Sequence, residues 1–288
     1  MNEEVECQGC GTHFKADRGQ VPALDLRPVS PALVSFTIDI GAAVPEVEPE
    51  QLHRNPSPTV DFGSTPAPVH IGADLMSWIP APSDPGALVL DLGCGSCPNM
   101  SMLKAAGYTY VPVDYSNPEA MMLCDAHALP FADATFDFVI SIAVLEHLHS
   151  PALAMSEVRR VLKPGRSMLG SVAFLEPYHS RSYYHHTQLG LANSLFQAGL
   201  APRHIWVTPN WTLFQAQAKS LYRGAPKLLG NLLTRAGSAA HALWWRIGRF
   251  RHPSAFSPVR RDASAAAAWM FLADSPLEDD APATTATL

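Results

Sequence analysis

Between residues 86 and 176 short apolar runs alternate with amphipathic stretches. The run 87–92 (ALVLDL) has the length and composition of a buried strand, and it passes through Gly-Cys-Gly into a helical pattern over 99–106. Strands are predicted again at 110–113 and 136–142. A helix is predicted at 151–162, ended by Lys163-Pro164-Gly165, with a returning strand at 167–174. Strands separated by helices imply right-handed crossovers and a parallel sheet covered on both faces. Upstream, 29–85 is proline-rich and irregular apart from one helix around 70–79. Downstream, Thr187 opens a helix that runs to Ala198 and is closed by Gly199. A long helical pattern covers 227–250, and 265–273 is a last buried strand. Residues 1–28 form a short head containing cysteine and glycine, and 275–288 has the composition of a disordered tail.

Composition narrows the class. The chain has 288 residues, 47% of them hydrophobic, enough for a sizeable core and against a disordered or coiled-coil chain. No internal repeat and no bilayer-length apolar stretch is seen, and the acidic start MNEEVECQGC is not a secretory signal. Five cysteines without a framework spacing fit a reducing cytoplasm. The net charge of −6 hides an asymmetry: from Pro177 to Arg261 there is no Asp or Glu, while 11 of the 20 Lys and Arg lie there. Such segregation suggests either an anionic partner for the C-terminal third or packing against the acidic remainder.

The segment VLDLGCGSC runs from a strand straight into a helix. Gly93 and Gly95 allow a sharp turn and close approach of a ligand to the backbone, with helix N-terminal amides behind it. The second strand ends in Asp114, where α/β nucleotide sheets place the acid that accepts both ribose hydroxyl protons.

The run VLDLGCGS…VPVDYS…CDAHALPFADATFDFVISIAVLEHLHSPALAMSEVRRVLKPGR resembles the class I S-adenosylmethionine (SAM)-dependent methyltransferases, in particular the small-molecule group with LPF…FD and RVLKPG signatures. The resemblance covers about 89–174. It implies an α/β, Rossmann-like doubly wound and mostly parallel seven-stranded sheet with SAM as cofactor, completed here by a short N-terminal appendage and a helical lid insertion. By resemblance Asp91, Gly93, Cys94 and Gly95 cradle the methionine moiety and Asp114 holds the ribose, with Tyr115 against the adenine. Asp125 and Ala126 sit at the adenine amino group, while Ser141 and Ile142 line the methionine end. The pattern is departed from twice. Cys97 stands where a third glycine is common, and only 11 residues separate Asp114 from Asp125, so the helix between strands two and three is missing or one turn long.

Methyl transfer from a sulfonium is an in-line displacement that needs alignment, a water-poor site and a base where the acceptor loses a proton. His147 is placed near the transfer site by resemblance. Tyr178, His179 and His185, with Glu176 and His186 beside them, follow a strand whose C-terminal end faces the ligand crevice. The spacing of His179, His185 and His186 matches no strong metal pattern, and no metal is expected there. Cys7-x-x-Cys10 resembles half of a zinc ribbon, read as degenerate because only two ligands are evident.

These readings divide the chain into a head (1–28), a proline-rich linker with one helix (29–85), a SAM-binding core (86–200), a basic helical lid with the last strand (201–274) and a tail (275–288). The expected activity is methyl transfer to a small or amphiphilic acceptor in the cytoplasm. The rivals are SAM binding without transfer and RNA methylation, although no RNA-binding module is present. For the helix over 227–250, with its leucines on one arc and Arg235, Arg246 and Arg249 beside it, three roles compete: capping the substrate pocket, resting on a membrane or lipid phosphate, and binding RNA.

Overall fold

The computed structural model describes the backbone of residues 2–6, 13–17 and 23–24, and residues 49–177, 179, 181–207 and 211–277. Cys7, Cys10 and Tyr178 lie outside the described residues. In chain order the elements begin with β1 (Asn2–Glu6), β2 (His13–Asp17), β3 (Ala23–Leu24), α1 (Gly72–Met76), β4 (Leu88–Leu92), α2 (Met100–Ala105), β5 (Thr109–Asp114) and β6 (Met122–Cys124). They continue with β7 (Phe136–Ile142), α3 (Pro151–Val161), β8 (Leu162–Ala173), α4 (Gln188–Gln197), β9 (Ala201–Trp206), α5 (Leu213–Leu221), α6 (Lys227–Arg251), α7 (Pro258–Ser264) and β10 (Ala268–Asp274).

β1 and β2 form an antiparallel pair, and the other strands make one sheet in the order β3-β6-β5-β4-β7-β8-β10-β9. Only β10 runs antiparallel, between β8 and β9. The seven strands from β6 to β9 are the expected mostly parallel sheet, and the two-residue β3 adds an eighth at the edge beside β6. Alternation along each strand sends neighbours to opposite faces. Leu90 and Val139 join the core under α3 and α4, with Met155, Leu191 and Leu195. Val89, Phe138 and Ile140 join a second core under α1 and α2, with Leu75 and Met102.

The helix at 151 stops at Val161, and β8 starts immediately. The break carried by Lys163-Pro164-Gly165 is a bulge inside the strand: Phe136 pairs with Leu162 and Phe138 with Ser167, so 163–166 loop out, with Gly165 at φ +71°. Between β5 and β6 the residues 115–121 form turns and no helix, as the short spacing implies. The strand β9 carries no pattern that predicts it, being short, with Pro202 inside it and the polar Arg203 and His204 at its centre.

The helices α5, α6 and α7 are inserted between β9 and β10. No residue of α6 is buried. Its inner face is the stripe of small residues: a Cβ on Gly237 would lie 2.6 Å from Phe214, and one on Gly248 would lie 2.3 Å from Phe256. His241 and Trp245 sit on the same side, against Phe214 and Phe256. The leucine arc therefore points outward, with Leu228 82% and Phe250 95% exposed, and Leu232, Leu243 and Ile247 exposed between them. The glycines decide this orientation, because they let two aromatic rings approach the helix backbone where leucines could not.

Close packing makes one glycine of β8 irreplaceable. A Cβ on Gly170 would sit 2.4 Å from Phe271 Cζ and 2.7 Å from the carbonyl oxygen of Ser141. Gly170→Ala is expected to lower the unfolding free energy by about 1–3 kcal/mol in urea titration. Gly230→Ala, on open helix surface with nothing within 4 Å, is expected to raise it by up to about 1 kcal/mol.

Candidate active site

On one side of β4 lies β5 and on the other β7, so the crossover helices leave the sheet in opposite directions at the C-terminal end of β4. A crevice opens at such a reversal. The amides of Gly93 and Cys94 both donate to the carbonyl of Val113, at 2.9 and 3.0 Å, which ties the loop after β4 to the end of β5. The Gly95 amide donates to Oδ2 of Asp114 at 3.0 Å, and Ser116 and Asn117 donate to Oδ1 at 2.9 Å each. Oδ2 keeps a lone pair beyond these bonds, while both of Oδ1 are used. Gly93 has φ +72°, and a Cβ there would meet Val144 at 2.5 Å, so no other residue fits. Cys97, in place of the usual third glycine, holds a left-handed φ of +54° itself. The turn is kept and the side chain is strained.

The crevice has a volume of about 870 Å³. Of the expected cofactor residues, Gly93, Asp114, Tyr115, Asp125 and Ala126 line it, and His147 lines the far wall with Ala143, Val144 and Arg181. Asp91, Cys94, Gly95, Ser141 and Ile142 are not part of the lining. Asp91 is buried, accepting from Tyr110 Oη at 2.6 Å and from Asn99 Nδ2 at 3.2 Å. Burial pushes its carboxyl up to about 6, against the opposing effect of those two hydrogen bonds. Cys94 is buried too, which holds its thiol protonated.

At the end of the crevice near Asp114, Asp125 Oδ1 takes bonds from the amide and the ring of His127, at 3.0 and 2.6 Å. Nε2 of His127 accepts from the Ser150 amide at 3.3 Å, so the ring proton is on Nδ1. His149 stacks on His127 with centroids 4.0 Å apart, adding a second imidazole to the wall.

At the opposite end three more side chains meet. His147 Nδ1 donates to the carbonyl of Arg181 at 3.0 Å. His179 Nδ1 lies 2.8 Å from Glu176 Oε2, and Glu176 is oriented by Trp211 Nε1 at 2.9 Å on its other oxygen. The two Nε2 atoms of His147 and His179 face each other at 3.1 Å. Sequence reasoning names all three of these residues but misses Glu146, which is fully buried beside them; the signal is an acid inside the otherwise apolar VLEHL. Burial pushes the Glu146 carboxyl up to about 7. His185 is exposed and outside the lining, whereas His186 is buried and held neutral by that burial.

Residues 90–169 match the family described as "Methyltransferase domain". Among curated proteins, the chain is 34% identical over 107 residues to the "Probable tRNA methyltransferase 9B" of Mus musculus, covering 34% of this chain and 24% of that protein. It is 33% identical over 96 residues to the demethylmenaquinone methyltransferase of Renibacterium salmoninarum, covering 30% and 40%. The matches thus span less than half the length of these curated relatives. Among solved structures, the geranyl diphosphate C-methyltransferase of Streptomyces coelicolor aligns over 72% of this chain and 76% of its own, with TM-score 0.44 and 14% identity.

Because the Asp91 carboxyl titrates higher in the folded chain than in the unfolded one, its contribution to stability is complete below about pH 4 and is lost as pH rises through about 6. The stability of the wild type relative to Asp91→Asn is expected to fall by roughly 2–3 kcal/mol between pH 4 and 7. Urea titrations across that range check it, and a flat difference would mean that Asp91 is hydrated.

Proposed function

We propose that the chain is a SAM-dependent methyltransferase acting on a small or amphiphilic acceptor, at oxygen, nitrogen or carbon. The observation that carries this reading is Asp114: a carboxylate at the end of the second core strand, fixed by the glycine-loop amide of Gly95 and facing the crevice. It accepts the ribose hydroxyl protons. Tyr115, Asp125 and Ala126 surround the adenine, and the backbone from Gly93 to Gly95 receives the methionine end, with Asp91 supporting that loop through Asn99. The matched methyltransferase domain spans these residues. The methyl group then points toward His147. The facing Nε2 atoms of His147 and His179 hold one proton or one cation between them, which makes this pair the reactive group of the acceptor end.

Calorimetric titration of SAM tests the cofactor assignment. Micromolar binding by the wild type, weakened at least about tenfold in Asp114→Ala, is the expected outcome, since a lost charge-assisted hydrogen bond costs about 1.5–3 kcal/mol. Equal binding by both would remove Asp114 from the site. Formation of S-adenosylhomocysteine with an acceptor separates an enzyme from a protein that only binds SAM.

The outward arc of α6 favours an amphiphilic acceptor met at a lipid surface. Exposed Leu232, Leu243, Ile247 and Phe250 suit the acyl boundary, with Trp244 at the interface and Arg235, Arg246 and Arg249 at the phosphates. No helix among the described residues is long and apolar enough to cross a membrane. The chain is expected to cosediment with phosphatidylglycerol vesicles and not with phosphatidylcholine vesicles. Phe250→Glu with Leu232→Glu should abolish that binding while leaving SAM binding intact. Tight binding to transfer RNA by the wild type, lost with Arg235, Arg246 and Arg249, would favour a nucleic-acid acceptor instead.

A further inference from the structure

The reading above leaves the carboxylate of Glu146 unused. Among the described residues no side chain gives it a hydrogen bond, and only the backbone amides of Glu146 itself and of Ala173 bear on the carboxylate, although the side chain is fully buried. A buried carboxylate with so little pairing is expensive unless a cation or a further donor meets it. The two histidines beside it pose the complementary problem. His147 spends its Nδ1 proton on the Arg181 carbonyl, and His179 faces Glu176 with its own Nδ1, which leaves two Nε2 lone pairs opposed at 3.1 Å. Lone pairs at that distance repel unless something positive lies between them.

We propose that Glu146, His147 and His179 hold one divalent transition-metal ion. Two imidazole nitrogens about 2.0–2.1 Å from one ion stand about 2.9–3.4 Å apart at octahedral to tetrahedral angles, and here they are 3.1 Å apart. The ligand atoms of all three residues lie within 4.8 Å of one another. A carboxylate oxygen opposite one imidazole on an octahedral ion would stand about 4.2 Å from it, which that spread reaches with a movement of under about 1 Å. The outer contacts have the form that metal-binding histidines use, one ring N–H given to a carboxylate and the other to a backbone carbonyl, with Trp211 fixing Glu176 in turn. The amides of Tyr183 and Tyr184 both donate to the Glu146 carbonyl, at 2.7 and 3.2 Å, and clamp the loop that carries His179 onto the turn that carries Glu146 and His147. Two imidazoles and one carboxylate select zinc, iron(II), cobalt(II) or manganese(II) over magnesium or calcium. His147 belongs to the crevice wall, so an ion there can take an oxygen of the acceptor as a further ligand; this last use alone rests on the methyltransferase reading.

The test is titration of Co²⁺ and of Zn²⁺ into the full chain after stripping with EDTA, followed by visible absorption of Co²⁺ and by calorimetry. One ion per chain is expected, with affinity lowered at least about 100-fold in His179→Ala and Glu146→Gln, about 10–100-fold in Glu176→Gln, and unchanged in His185→Ala. Cobalt bands absent from a wild type that melts cooperatively would overturn the site and leave a shared proton between the imidazoles. Binding that survives His179→Ala and Glu146→Gln would overturn it as well. Running the SAM titration on the same protein separates the claims: SAM binding without cobalt binding removes only the ion, and cobalt binding without SAM binding removes the cofactor assignment and leaves the ion.

Discussion

The site exists because the sheet changes its direction of winding at β4. With β5 on one side and β7 on the other, the connecting segments part at the strand ends, and no backbone crosses the gap between them. The two bonds from Gly93 and Cys94 to the Val113 carbonyl then hold the rims of that gap together. Asp114 is oriented by a neighbouring strand's loop, and Gly93 is left no room for a side chain because Val144, following β7, fills the space. Three strand ends therefore specify one another. The rest of the core serves mainly to keep them in register.

Much of this was legible in the sequence, for a physical reason. Central parallel strands are buried on both faces and read as continuous apolar runs, so β4 and β7 stand out, and glycine at a strand-to-helix turn marks the loop. The missing helix between β5 and β6 could be counted from the spacing of Asp114 and Asp125. Legibility fails where tertiary context overrides local pattern. β9 is a strand because β10 pairs with it, and its own six residues, with a proline second, show no alternation. α5 has a readable start, the capping box of Thr212 and Gln215, that hydrophobic periodicity alone does not reveal. Within the site, Asp91, Ser141 and Ile142 belong to the right elements but not to the crevice lining, which is built from residues at and just beyond the strand ends, Leu92 and Gly93 after β4 and Ala143 and Val144 after β7. Glu146 stayed hidden because burial, which gives it meaning, is not a property of the letter E.

The two ends of the crevice follow different electrostatic logic. Around Asp114 and Asp125, acceptors are paired with backbone amides and a ring N–H, an arrangement ready for hydroxyl and amino groups. Around His147, Glu176, Glu146 and two imidazoles converge, and among the described residues no Lys or Arg side chain is bonded to them. One end is complete as a polar network, while the other has room for a proton or a cation between its imidazoles. Folding such a cluster costs stability, which the well-packed cores on both faces of the sheet supply.

The absent helix between β5 and β6 has a kinetic consequence. In a fully covered doubly wound sheet, that helix walls the base of a bound nucleotide, and exchange waits for backbone to move. Here seven residues of turn stand in its place, and Tyr115 beside the crevice is more than half exposed. The adenine edge of the proposed cofactor would thus be bordered there by turn residues and not by a helix. Product release limits many enzymes, and a wall of turn residues needs smaller backbone movements to let a ligand pass than a packed helix does.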